Sequence, residues 1–267
     1  VRTTTKYGYN STVPVGTIVK AINSESAISV YDDGEVSSWS AGAGTWTVAN
    51  GLYRQTDGVG TASWTNPKRN TSALVDDGVF ETDIRFDNSG NYRYVALFKY
   101  VGSWNWITFQ LRKTQSLVRI DTWKNGATNV WADAAYTFNE NQWYHLRGEV
   151  EGSTARLYVD GILVLTLTDP NVDIGSGYVG LGTYGTVASF DNVRMFPTGA
   201  IATSTTYDPL TLQVTATTDA NGTSTYVGYD GFGRQVMTKN ANGMIVSQQS
   251  HFLSRDANNG IFTSTDP

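Results

Sequence analysis

Cysteine is absent from the 267 residues, so neither disulfides nor thiolate metal sites can hold the fold. Stability must come from a buried core, and the length is ample for one sandwich with further material at its ends. Histidine occurs only at positions 145 and 251, too far apart and too isolated to suggest a catalytic pair or a zinc site. His145 falls on the same side of a strand as Trp143 and Arg147 and reads as a hydrogen-bonded structural residue. Charge is also sparse: 16% of residues are charged, the formal balance is −5 and the sequence pI is near 5.0. A mildly acidic surface without clustered Lys and Arg argues against nucleic acid as a partner. No apolar run approaches the ~20 residues that span a bilayer, and there is no signal peptide, so no membrane insertion is expected. Nor does any long stretch carry apolar residues at helical spacing, so helix should be minor. The chain opens at Val1 without methionine and stops abruptly at Pro267, which reads as a covalent part of a larger multidomain chain, monomeric as a fragment.

What is abundant points to β-structure. Gly counts 27, Tyr 15, Phe 10 and Trp 8, and Thr, Ser, Val and Tyr alternate in short stretches bounded by Gly, Asn and Asp. Three zones separate by pattern: residues 1–28, polar with one short β-like run; residues 29–197, holding nearly all the tryptophan; and residues 198–267, again rich in Thr, Asn, Gly and Asp. In the middle zone, strands are expected over 79–86, 92–100, 106–112, 117–123, 143–150, 155–159, 162–167, 178–184 and 189–196. Asp160-Gly161 between two of these runs is a strong hairpin signal. The expected fold is all-β: a two-sheet antiparallel sandwich of jelly-roll type, with additional hairpins at the termini.

Ordered motifs make this more specific. They are Gly44-Thr-Trp-Thr-Val-Ala-Asn-Gly-Leu-Tyr53, Gly78-Val-Phe-Glu-Thr-Asp-Ile-Arg-Phe86, Asn141-Gln-Trp-Tyr-His-Leu-Arg147, Ala155-Arg-Leu-Tyr-Val-Asp-Gly161, Gly177-Tyr-Val-Gly-Leu-Gly182 and Phe190-Asp-Asn-Val-Arg194. The set resembles the laminin-G/concanavalin-like jelly rolls of bacterial polysaccharide-processing proteins. That class contains carbohydrate-binding modules, glycosidases and adhesion domains, so fold alone does not choose among them. A second resemblance lies in Asp219-Ala-Asn-Gly-Thr-Ser-Thr-Tyr-Val-Gly-Tyr-Asp-Gly-Phe-Gly-Arg234 followed by Asn240-Ala-Asn-Gly243, which is similar to the YD repeat of Rhs-like surface proteins. Tyr7-Gly-Tyr9-Asn10 and Gly16–Asn23 look like a degenerate copy, so the sandwich should be inserted in, or bracketed by, a repeat array. These resemblances imply an extracellular or bacterial surface location.

The strands over 92–100, 106–112 and 117–123 carry the candidate site. One face collects Val95, Leu97, Ile107, Phe109, Leu111, Val118 and Ile120, which is a core. The other carries Tyr92, Tyr94, Phe98, Trp106, Gln110, Arg112, Arg119, Asp121 and Trp123, with Trp104 at the hairpin tip. Rings that stack on sugar C–H faces, interleaved with planar polar groups that take hydroxyls, suit a polysaccharide or oligosaccharide. A lesser candidate is the loop edge with Arg54, Asp57, Trp64, Lys68 and Arg69.

The jelly-roll resemblance also implies a structural Ca²⁺ between an acidic segment near the first strand, Asp32, Asp33 and Glu35, and Asp191 of the closing strand. Glu81-x-Asp83 is superficially similar to the paired carboxylates of glucanases of this fold, but Arg85 and Phe86 follow where a third acid is expected. The reading is a non-catalytic carbohydrate-binding module of a surface or secreted repeat protein. A protein–protein adhesion or spacer domain and a glycoside hydrolase are the alternatives.

Overall fold

The structure, a computed structural model, describes residues 2–29, 39–40, 44–57, 68–70, 73–87, 94–102, 104–255 and 262–265. Among these, regular structure is strand apart from two 3-10 turns, Asn23–Glu25 and Lys113–Gln115. The strands expected in the middle zone form within a residue or two of the limits read from the sequence, for example Gly78–Phe86, Asn105–Arg112, Trp143–Glu151 and Tyr178–Tyr184. Asp160 and Gly161 both adopt positive φ, 51° and 79°, as a two-residue hairpin turn requires. One long strand, Thr128–Ala135, was not anticipated. Its Asn, Ala and Asp residues are poor strand formers, and it forms because it pairs along Leu117–Lys124.

Three large sheets result, every pairing antiparallel. The front sheet runs, in spatial order, Thr128–Ala135, Leu117–Lys124, Asn105–Arg112, Tyr94–Gly102, Tyr178–Tyr184, Lys68–Asn70 and Trp39–Ser40. The back sheet runs Ile162–Thr168, Thr154–Val159, Trp143–Glu151, Gly78–Phe86, Ala188–Pro197, Leu52–Gln55 and Trp46–Ala49, with Ala27–Ser29 also on Ala188–Pro197. Hairpins join neighbours toward the sheet edges, at one end of the front sheet and both ends of the back sheet, while the central neighbours are far apart in sequence, as in a jelly roll. Between the two sheets lies one core, including Phe80, Ile84, Phe86, Leu97, Ile107, Phe109, Leu146, Leu157 and Phe190. Each such side chain contributes about 1.5–3 kcal/mol by leaving water. With no disulfide present, this core is the main source of stability.

The third sheet unites the two ends of the chain. Its order is Thr3–Gly8, Val13–Val19, Ile201–Tyr207, Val214–Thr218, Ser224–Tyr229, Gln235–Lys239 and Ile245–Gln248. Val13–Val19 pairs directly with Ile201–Tyr207, so both sandwich sheets are made by chain that leaves between two neighbouring strands of this one. Tyr9 fixes the junction: its hydroxyl donates to the Tyr207 carbonyl and accepts from the Tyr207 N–H at 2.7 Å. The meander turns are built alike. Asp219 Oδ1 accepts the N–H groups of Asn221 and Thr223, Asp230 Oδ1 those of Phe232 and Arg234, and Asn240 Oδ1 those of Asn242 and Met244. A short polar side chain that caps its own turn is why Asp or Asn recurs at each position.

The third sheet packs on the outside of the back sheet. Ile18 and Ala202 meet Val79 and Phe196. Beside them Arg194, fully buried, pairs with Glu81 at 2.9 Å and donates to the carbonyls of Ala202 at 3.1 Å and Asp219 at 3.0 Å. Gly222, at φ +81°, closes against His145: a Cβ there would lie 2.1 Å from Nε2, so no other residue fits the turn as it sits.

Candidate functional site

Register places the candidate side chains on the outer face of the front sheet. Across the strands, Asn129, Trp123, Trp106, Tyr100 and Tyr178 form one row. Trp131, Asp121, Thr108, Phe98 and Gly180 form the next, and Asp133, Arg119, Gln110 and Ala96 a third. At about 4.8 Å between strands, five positions span about 19 Å. The central two strands of that face are covered, because Ala96, Phe98, Tyr100, Trp106, Thr108 and Gln110 are all buried, so its accessible part lies on Leu117–Lys124, Thr128–Ala135 and the Trp104 tip.

Not all of these residues meet solvent. Phe98 and Gln110 are fully buried and Trp106 nearly so, while Arg112, Arg119, Asp121 and Trp123 are half-buried. Trp104 is 48% exposed and Trp131 is 54% exposed. Trp104 stacks on Trp106 with centroids 5.7 Å apart, and Trp123 lies edge-on to Trp104 at 5.4 Å. Trp104 has φ +61°, a left-handed backbone that a bulky residue rarely adopts and that costs of order 1–3 kcal/mol. The hairpin tip thus holds an exposed indole in place at some energetic cost.

The polar part is pre-ordered. Gln110 donates to Thr108 Oγ1 at 2.7 Å and accepts from Arg112 at 2.8 Å. Arg119 grips Asp133 with two bonds of 2.6 and 2.7 Å and lies 5.7 Å from the Trp131 ring. Asp121 accepts from Asn129 at 2.6 Å. Burial pushes the Asp121 carboxyl above its ordinary pKa, against the opposing pull of Asn129, Arg119 and Arg112. Tyr92 lies outside the described residues, and Tyr94 is described in its backbone alone. Trp131, Asn129, Asp133 and Tyr178 were missed in the sequence. The first three sit on the unanticipated strand, and alternation around Trp131 was the signal available.

For the calcium reading, Asp32, Asp33 and Glu35 lie outside the described residues. Asp191 Oδ1 accepts the Asn192 N–H at 2.7 Å, and no group of three or more His, Cys, Asp or Glu able to hold a metal occurs among the described residues. A calcium ion at Asp191 therefore depends on the acidic segment. At the loop edge, Arg54 pairs with Asp87 at 3.0 Å and Asp57 takes the Thr45 N–H at 2.9 Å, while Trp64 lies outside the described residues.

Glu81 and Asp83 do not form a free carboxylate pair. His145 bridges them, Nδ1 to Asp83 at 2.7 Å and Nε2 to Glu81 at 3.0 Å. Burial opposes ionisation of Glu81, but Arg194 and His145 outweigh it and lower its pKa. For His145, burial alone would lower the pKa; the bonds to Asp83 and Glu81 carry it up to about 10. The histidine is hydrogen-bonded on both ring nitrogens, in keeping with the structural role its sequence setting suggested.

Three kinds of comparison with known proteins bear on this arrangement. The family model of the 3-keto-alpha-glucoside-1,2-lyase-like domain matches residues 26–195, and that of the RHS repeat matches residues 207–243. A stretch of 151 residues is 28% identical to the levanase of Bacillus subtilis strain 168; it takes in 55% of this chain and 22% of that protein, so the chain spans about a fifth of this curated relative. Among solved structures, the carbohydrate binding module CBM66 of Bacillus subtilis is similar at TM-score 0.50 and 23% identity, over 59% of this chain and 94% of that one. An apo Crh5 transglycosylase is similar at TM-score 0.52 and 11% identity, over 73% and 92%. These likenesses support the concanavalin-type jelly roll read from the sequence. No helix among the described residues is long and apolar enough to cross a membrane.

Proposed function

We propose that this chain, which belongs to the 3-keto-alpha-glucoside-1,2-lyase-like domain family, is a carbohydrate-binding module set into the repeat array of a larger extracellular, bacterial surface or secreted protein. The saccharide lies on the accessible part of the front sheet's outer face, over strands Leu117–Lys124 and Thr128–Ala135 and the Trp104 tip. The observation that carries this is Trp104: an exposed indole held in left-handed backbone and stacked on Trp106 is a pre-formed platform for a sugar ring. Trp131 supplies a second ring, and Arg112, Arg119 and Asp121 supply hydroxyl contacts between them. Trp123 takes the edge of the same ligand, while Phe98, Trp106 and Gln110 stiffen the face from below. Neutral amides and paired ions recognise hydroxyls without strong net charge, which suits a neutral glycan. The levanase similarity makes levan the first glycan to test.

Binding rather than catalysis is favoured because Glu81 and Asp83 are consumed by His145, Arg194 and Asn192 on the other side of the sandwich. A glycosidase reading retains one specific support, the raised Asp121 carboxyl on the aromatic face, which suits a general acid. A polysaccharide panel tests both readings. Saturable, sugar-specific array signal without released product supports the module. Product release that stops in Asp121→Asn supports the hydrolase. A stably folded chain that gives neither is a protein-adhesion or spacer domain.

A further inference from the structure

The sandwich and the third sheet enclose a cleft of about 890 Å³ that the front face does not involve. One wall comes from the back sheet and its loops, with Asp83, Trp143, Asp191 and Asn192; the facing wall comes from the repeat sheet, with Tyr226 and Lys239. Its size is that of a small-ligand site.

Asn192 lines this cleft and carries an unsatisfied polar atom. The residue sits at φ +50° in a bulge where the pairing of Ala188–Pro197 with Gly78–Phe86 shifts between Asp191 and Arg194. Its amide nitrogen donates to Asp83 Oδ2 at 2.7 Å, yet its buried Oδ1 accepts no hydrogen bond, although the residue is only 3% exposed. A buried amide oxygen without a donor is costly unless a ligand or water supplies one. A bulge is also a common means of re-aiming a side chain at a site.

The geometry points to a second saccharide-binding site here, one that takes a short uncharged oligosaccharide between the sandwich and the repeat sheet. The chemistry of the walls selects the ligand class. Asp83 and Asp191 face an anion unfavourably, and Arg85 and Lys239 do the same for a cation, whereas a neutral polyol meets donors and acceptors on both sides. A hydroxyl donates to Asn192 Oδ1, others donate to Asp191, and the Lys239 ammonium donates to a sugar oxygen. Trp143, whose ring carries Arg85 at 4.8 Å, lines the sandwich wall. The ligand class is shared with the front-face reading but the residues are not, so the two sites fail separately.

The test is calorimetric titration of the full chain with levantriose, cellotriose and maltotriose, each alone. It is repeated in Asn192→Gly, which tolerates the left-handed backbone, in Lys239→Ala on the opposite wall, and in the Trp104→Ala/Trp131→Ala double variant. The expected result is saturable binding of at least one trisaccharide that survives in the double variant and weakens tenfold or more in both cleft variants. If Asn192→Gly fails to fold, Lys239→Ala alone decides. No binding of any of the three, or binding lost in the double variant and kept in the cleft variants, overturns the proposal.

Discussion

Arg194 and Glu81, both fully buried, pair at 2.9 Å on the outside of the back sheet, and the same guanidinium reaches the Ala202 and Asp219 carbonyls. One side chain thus ties the sandwich to both the strand that leaves it and the first repeat turn. Removing it leaves a buried carboxylate with only His145 and the more distant Arg147 to offset its charge. Arg194→Ala should destabilise the chain by about 3–5 kcal/mol. Urea unfolding followed by tryptophan fluorescence checks this, and a loss below about 1 kcal/mol would show that the tie is not structural.

His145 gives this junction a pH dependence. Its pKa rises from an ordinary 6.5 to about 10 in the folded chain, so the imidazolium contributes stability in full below about pH 6.5. That contribution is lost as pH climbs towards 10. Thermal midpoints should fall over this window, and His145→Gln should flatten the fall. A profile identical in both proteins would mean that His145 is not charged in the folded state.

Calcium makes a separate prediction. If Asp191 and the segment 32–35 hold an ion, EGTA should lower the thermal midpoint by several degrees and added Ca²⁺ should restore it, because an ion bound only by the folded state stabilises it by mass action. Asp191→Asn should remove the response. Equal midpoints with and without EGTA remove calcium from the account.

Much of this was legible in the chain. Alternation with β-branched and aromatic residues marked the middle-zone strands, and Asp160-Gly161 marked its hairpin, because those signals are local. The aromatic face followed from period two along three strands. What local pattern could not supply was long-range pairing. Thr128–Ala135 is strand only by its neighbour, and with it Trp131, Asn129 and Asp133 were missed. Tyr178 joins the face across a strand pair distant in sequence. Burial of Phe98 and Gln110 likewise depends on tertiary packing, and the Arg194–Glu81 tie on a third sheet that the repeat pattern only hinted at.

Affinity electrophoresis against a polysaccharide panel that includes levan, comparing the unaltered chain with Trp104→Ala and Trp131→Ala, tests the front face most directly. Loss of one stacked ring costs about 0.5–1.5 kcal/mol beyond its contact area, so binding should weaken about tenfold or more in each. Retardation by one glycan class, relieved in both variants with unchanged thermal midpoints, is the expected result. Retardation by no glycan, or retardation unaltered in both variants, would contradict it.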